Sequence, residues 1–135
     1  MYKNLLVPIA LDHSRDTSAA IEIARRLAAD GATITALTVI EEVPAQVAQY
    51  LPPDHGETLI AELTAALKAE LGGVQDVKPM VVRGHAGRTI VDYAQEHDVD
   101  CIVIASHQPG FADYFLGSTA ARVVRHAPCS VHVMR

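Results

Sequence analysis

The sequence predicts an α/β fold: an open, five-stranded parallel sheet in the order 3-2-1-4-5, with helices on both faces. Three observations predict it. Apolar, β-rich runs alternate with segments of helical period along the whole chain, the pattern of strand–helix–strand units. Two of the runs, "LLV" and "CIVI", are continuously apolar, as strands covered on both faces are. Two others carry the marks of a rim. The third strand contains Pro79, and the fifth alternates Ser130, Val131, His132, Val133, so that one of its faces can be wet. Strands one and four therefore belong at the centre, and strands three and five at the edges.

In chain order, "NLLVPI" is the first strand. "SAAIEIARRLAADG" follows as a helix, with Ala20, Ile21, Ala24, Leu27 and Ala28 on one stripe and Gly31 as its stop. Ser14 and Asp16 have the character of helix-start residues. "TITALTVI" is the second strand. "LIAELTAALKAEL" is the second helix, with Leu59, Leu63, Ala66, Leu67 and Leu71 as its apolar face. "VKPMVVRG" and "RTIVDYAQEHD" form the third strand and helix, with "GHAG" as the turn between them. "CIVIAS", "STAARVVRHA" and "SVHVMR" complete the alternation.

The bulk composition narrows the function. The 135 residues suit one domain, spanning 1–135. At 50% hydrophobic and 20% charged the chain is globular in character. A net charge of -5 argues against nucleic acid and against an anionic membrane surface as partner. No apolar run reaches the length of a membrane span. The two cysteines, Cys101 and Cys129, lie in apolar settings and read as buried free thiols. That fits a reducing compartment, and the expected location is the cytoplasm. The seven histidines are scattered, with no paired helical spacing and no C-x-x-C, so no metal site is expected.

Ligands of open α/β sheets bind where the strand order reverses, beyond the carboxyl ends of the strands. Here that is between strands one and four. The loops there are "PIALDHS" and "SHQPGFADYFLGS". The second ends in Gly117-Ser118-Thr119 at the start of a helix. A helix N-terminus presents unpartnered amides and the positive end of a dipole. Gly117 lets a ligand approach the backbone, and the hydroxyls of Ser118 and Thr119 can donate to phosphate oxygens. The alternative is that Ser118 or Thr119 merely caps the helix. His107 lies in the same loop and could bond a ribose or phosphate, the alternative being an ordinary loop residue. There is no Walker-type loop and no phosphate lysine, so triphosphate charge would need a metal ion or Arg122. No catalytic residues are assigned; a slow ATPase is the least supported reading.

These residues resemble the universal stress protein family. The resemblance runs from "NLLVP" through "ITALTVI" and "RG-x-A" to "LGSTAARVVRHAPCSVHVMR". The family's nucleotide binders carry G-x2-G-x9-G-[ST] after strand four. Gly117 and Ser118 match its end. Ala105 and Gln108 stand at the first two glycines, the loop is one residue shorter, and Gly110 supplies flexibility, as in a short-loop branch. Many members read P-x-D after strand one. Pro8 matches, Ile9 follows, Ala10 replaces the acid, and Asp12 lies two residues on. Val39 matches a position that packs on adenine. The resemblance implies a flavodoxin-like (adenine nucleotide alpha hydrolase-like) sandwich, a homodimer and a role in stress survival. It also implies ATP or AMP binding in one branch of the family; Mg2+ is the metal ion that a triphosphate could bring. The expected nucleotide site is Pro8, Ile9, Ala10, Asp12, Val39, Ala105, Ser106, His107, Gly117, Ser118 and Thr119. The alternative is a member that binds no nucleotide and acts through an unknown protein partner, which Ala10, Ala105 and Gln108 favour. Val131 and Val133 on the last strand are the expected dimer contact, because an unpaired sheet edge is normally covered.

Overall fold

The computed structural model describes residues 1–11, 14–106 and 116–135, with backbone alone at 14–16. The elements are β1 (Tyr2–Pro8), α1 (Ser14–Leu27), β2 (Ala28–Ile40), α2 (Ala45–Ala48), α3 (His55–Glu70), β3 (Val77–Arg83), α4 (Ala86–Glu96), β4 (Cys101–Ala105), α5 (Ser118–His126) and β5 (Ser130–Met134). The sheet is parallel in the order β3-β2-β1-β4-β5, as the apolar patterning predicts.

Two apolar layers cover the sheet. Leu5 and Val7 of β1, Ile9 just beyond it, and Cys101 and Val103 of β4 pack beneath α1 and α3. Leu6, Leu37, Ile102 and Ile104 face α4 and α5 on the opposite side. Alternate residues of each central strand thus serve opposite cores, which is why these strands read as unbroken apolar runs. Pro79 sits in β3 at one rim, where a missing N–H is tolerated. In β5, at the other rim, Ser130 and His132 are exposed while Val131 and Val133 are half-buried against the α4–α5 layer.

Three boundaries differ from the sequence reading. α1 starts at Ser14 and ends at Leu27, four residues before Gly31. β2 pairs with β1 from Ala28, but it advances five residues, from Ala28 to Thr33, while β1 advances two, from Tyr2 to Asn4. Gly31, at φ 77, lies in that irregularity, so it still turns the chain, inside the strand's first residues rather than as a helix stop. α3 begins at His55 and packs through Ile60, Leu63, Leu67 and Leu71. Ala66, expected on its apolar face, is exposed. The short helix α2 was not anticipated. None of its residues is buried.

The amino end of the sheet is tied locally. The Asp100 carboxylate accepts the backbone amides of Lys3 (2.8 Å) and Asn4 (3.0 Å), and the Asn4 side chain donates to the carbonyl of His97 (2.7 Å). Those bonds fix β1 beside β4 at the edge remote from the sheet's carboxyl ends.

Candidate functional site

The two central strands part company at their carboxyl ends. β1 pairs with β4 at Leu5↔Cys101 and Leu6↔Ile102. β1 stays paired with β2 as far as Pro8↔Leu37, and β4 with β5 as far as Ala105↔Met134. Each strand therefore follows its outer neighbour, and a crevice opens between them where the strand order reverses.

Both lips of the crevice are held by specific bonds. On the β1 side, the Ile9 amide donates to the Leu37 carbonyl (2.8 Å), and the buried Thr38 hydroxyl donates to the Ile9 carbonyl (3.0 Å). On the β4 side, the Ser106 amide donates to the Met134 carbonyl (2.7 Å). The Gly117 amide donates to the Ser106 hydroxyl oxygen (3.0 Å), strapping the start of α5 to the end of β4. Removing that oxygen strands a half-buried amide, which costs about 1 kcal/mol. Ser106→Ala is expected to melt about 4 °C lower, with Ser106→Thr close to the parent. A melting curve unchanged in Ser106→Ala would show that the strap carries no stability.

Strand alternation sorts the expected residues between the two faces. Leu6, Leu37 and Val39 belong to the α4–α5 layer, and Pro8 shares the parity of Leu6. Pro8, Val39, Ser106 and Gly117 therefore line the α5 side of the carboxyl edge. Ile9 is buried on the α1 side, and Ala105, with the parity of Val103, lies on that side too. Ala10 is exposed. Asp12 and His107 lie outside the described residues.

The helix start differs from the capping alternative. Gly117 itself holds the N-cap position, at φ -60 and ψ 152, and makes no side-chain cap. Ser118, the first helical residue, is exposed, and Thr119 is half-exposed. The first intrahelical bond runs from the Ala121 amide to the Gly117 carbonyl (2.8 Å). The amides of residues 118–120 consequently have no partner within the helix. A Cβ added to Gly117 would meet, among the described residues, only the Ser106 hydroxyl oxygen at 3.9 Å, an ordinary contact. Neither backbone conformation nor described packing calls for glycine there. Among the described residues, nothing fills the space in front of that helix N-terminus.

Among the described residues no group of three His, Cys, Asp or Glu side chains is placed to hold a metal ion. No helix of the described residues is long and apolar enough to cross a membrane. The "GHAG" segment is a strand-to-helix turn, as expected, with His85 at the N-cap of α4. Its Gly87 packs so closely on the Arg122 stem that a Cβ would stand 2.7 Å from Arg122 Cδ. Arg122 is thus committed, through its stem, to the α4–α5 contact.

The family model described as "Universal stress protein family" matches residues 1–135. The chain belongs to the universal stress protein family. Universal stress protein G of Salmonella typhimurium is 28% identical, with all of both chains aligned. The solved UspA of Lactobacillus plantarum is 30% identical, with a TM-score of 0.68 over 99% of this chain and 98% of that one. A universal stress protein solved in complex with cAMP shares the fold, at 22% identity and a TM-score of 0.62 over 99% of this chain and 97% of that one. So does a universal stress protein family member of Arabidopsis thaliana solved with AMP, at 17% identity and a TM-score of 0.60 over 98% and 90%. The five-stranded order is the family's fold.

Proposed function

We propose that this universal stress protein binds an adenine nucleotide, ATP or AMP, in the crevice between β1 and β4, and acts in the cytoplasm as a dimeric binding module. The observation that carries the reading is Gly117: a glycine that neither its backbone conformation nor its described neighbours require, at the N-terminus of a helix facing the strand reversal. Amides without a partner in the helix, and the helix dipole, suit a phosphate there. Pro8 and Val39 offer an apolar wall to a base on the same face, and Ser118 and Thr119 offer hydroxyl donors. Relatives of the same fold were solved with cAMP and AMP. A triphosphate would bring Mg2+ as its counter-ion. Binding without chemistry is the reading, with no side chain assigned as base or nucleophile. The dimer is assigned to the β5 rim, where Val131 and Val133, half-buried on their own core, would be covered further by a second copy across a two-fold axis.

Native mass spectrometry tests both parts at once. The expected species has twice the 14.5 kDa chain mass and carries one nucleotide per chain after incubation with AMP, or with ATP and Mg2+. A dimer that stays bare in millimolar nucleotide would overturn the ligand and favour a module acting through protein contacts. A monomer mass would overturn the dimer.

A further inference from the structure

We infer that association of two copies of this chain is proton-sensitive: they pair along β5 in the register that sets His132 opposite the partner's His132, and the dimer weakens as the imidazoles take up protons. The inference rests on the assignment of the dimer to the β5 rim, and adds to it a register and a regulating residue.

The backbone fixes which groups of β5 are free. The Ser106 amide donates to the Met134 carbonyl (2.7 Å), and Ala105 is the residue across from Met134. In a parallel ladder a residue that bonds a neighbouring strand through its carbonyl turns its amide to the same neighbour, and the next residue turns both groups away. Met134, His132 and Ser130 therefore bond toward β4, and the amides and carbonyls of Val131 and Val133 point outward from the rim. Among the described residues no strand pairs with that side. Two identical edges related by a two-fold axis pair antiparallel, joined by residues that exchange both hydrogen bonds. One register engages the whole strand, Ser130–Met134: Val131 opposite the partner's Val133, and Val133 opposite the partner's Val131. A shift in either direction leaves an end of each strand unpaired. The axis then passes between His132 and the partner's His132. They form a non-hydrogen-bonded pair, the kind in which side chains stand closest, with Cα atoms about 4.5 Å apart.

Little else sets the charge at that point. His132 is exposed, on the sheet face opposite to Val131 and Val133. With it on that face are Ser130 and Met134 of β5, and Cys101, Val103 and Ala105 of β4. The one titratable group among these, the Cys101 thiol, is pushed up to about 11 by burial and stays neutral in acid. In α1, the helix over that face, Arg25 is held by Asp76, and Arg26 by Glu22. Arg125 and His126 belong to α5, on the other face, and Arg135 follows with the parity of Val133. Among the described residues no ion pair involves His132. Imidazole changes charge between about pH 5 and 8. Two protonated rings put like charges on directly opposed positions, which is destabilising. The dimer consequently takes up fewer protons than two separate chains, and acid favours the separate chains.

Sedimentation equilibrium at about pH 7.5 and about pH 5 tests this. The dissociation constant of the parent dimer is expected to rise about tenfold on acidification. His132→Gln cannot be protonated and should dimerise equally at both values. His132→Lys is charged at both and should dimerise weakly at both. The position is exposed, so both variants keep the fold, which circular dichroism at each pH checks. A parent that is monomeric at every pH fails the dimer reading, and the inference with it. A parent dimer of equal strength at both values overturns the inference alone. So does an acid response that His132→Gln retains in full, since the proton would then be taken up elsewhere.

Discussion

Gly117→Val is expected to lower nucleotide affinity at least a hundredfold while the fold melts within a few degrees of the parent. The two effects separate because they arise in different places. Gly117 has an ordinary φ of -60, which valine adopts without strain, and its Cβ would find described neighbours no closer than 3.9 Å. Losing glycine from an N-cap costs about 1 kcal/mol, and the stiffer unfolded chain returns about half of that or more. Binding has no such compensation. The two γ-methyls would project into the space in front of the amides of residues 118–120, where phosphate oxygens must come within hydrogen-bonding distance. Two charge-assisted bonds at about 1.5 kcal/mol each already amount to more than a hundredfold. Calorimetric titration of AMP beside circular-dichroism melting reads both quantities. An affinity within threefold of the parent would place the phosphate somewhere other than the start of α5.

The sheet order was legible because it depends on what each strand must bury. "LLV" and "CIVI" announce two covered faces, Pro79 a rim, and the alternation in β5 a half-wet strand. Element boundaries were less legible. The leucine-rich helix α3 offers two stripes, one through Leu59 and Ala66 and one through Ile60 and Leu71. Packing against the β3 side of the sheet selects the second, and nothing local distinguishes them. Gly31 signalled a turn correctly but not where the preceding helix gave way, since that depended on pairing with Tyr2. In the site, Gly117 could be singled out from its place after an apolar strand. That it holds the cap position, in place of Ser118 or Thr119, follows from the strap to Ser106, a contact between residues eleven apart.

The stability of the fold is expected to fall by about 3 kcal/mol between pH 9 and pH 11 through Cys101 alone. Cys101 opens β4 at the centre of the sheet and is 1% exposed. Burial, with smaller contributions from Cys129 and Asp100, pushes its thiol from the ordinary 9.0 up to about 11. A raised acid constant in the folded state means that the folded protein holds its proton where the unfolded chain has released it. The contribution is complete below about pH 9 and is lost progressively as pH rises toward 11. Burial also raises Cys129 and Tyr93, so their changes have the same sign. Cys101→Ala isolates the effect. Its cavity lowers stability by an amount that does not depend on pH, so the informative quantity is the slope rather than the level. Urea unfolding under reducing conditions, from pH 8 to pH 11, should show the parent losing about 3 kcal/mol more than the variant. Parallel curves would mean that the thiol at the start of β4 reaches solvent and ionises in the folded protein, and that the centre of the sheet is less tightly closed than the packing of Leu5, Val103 and Cys101 implies.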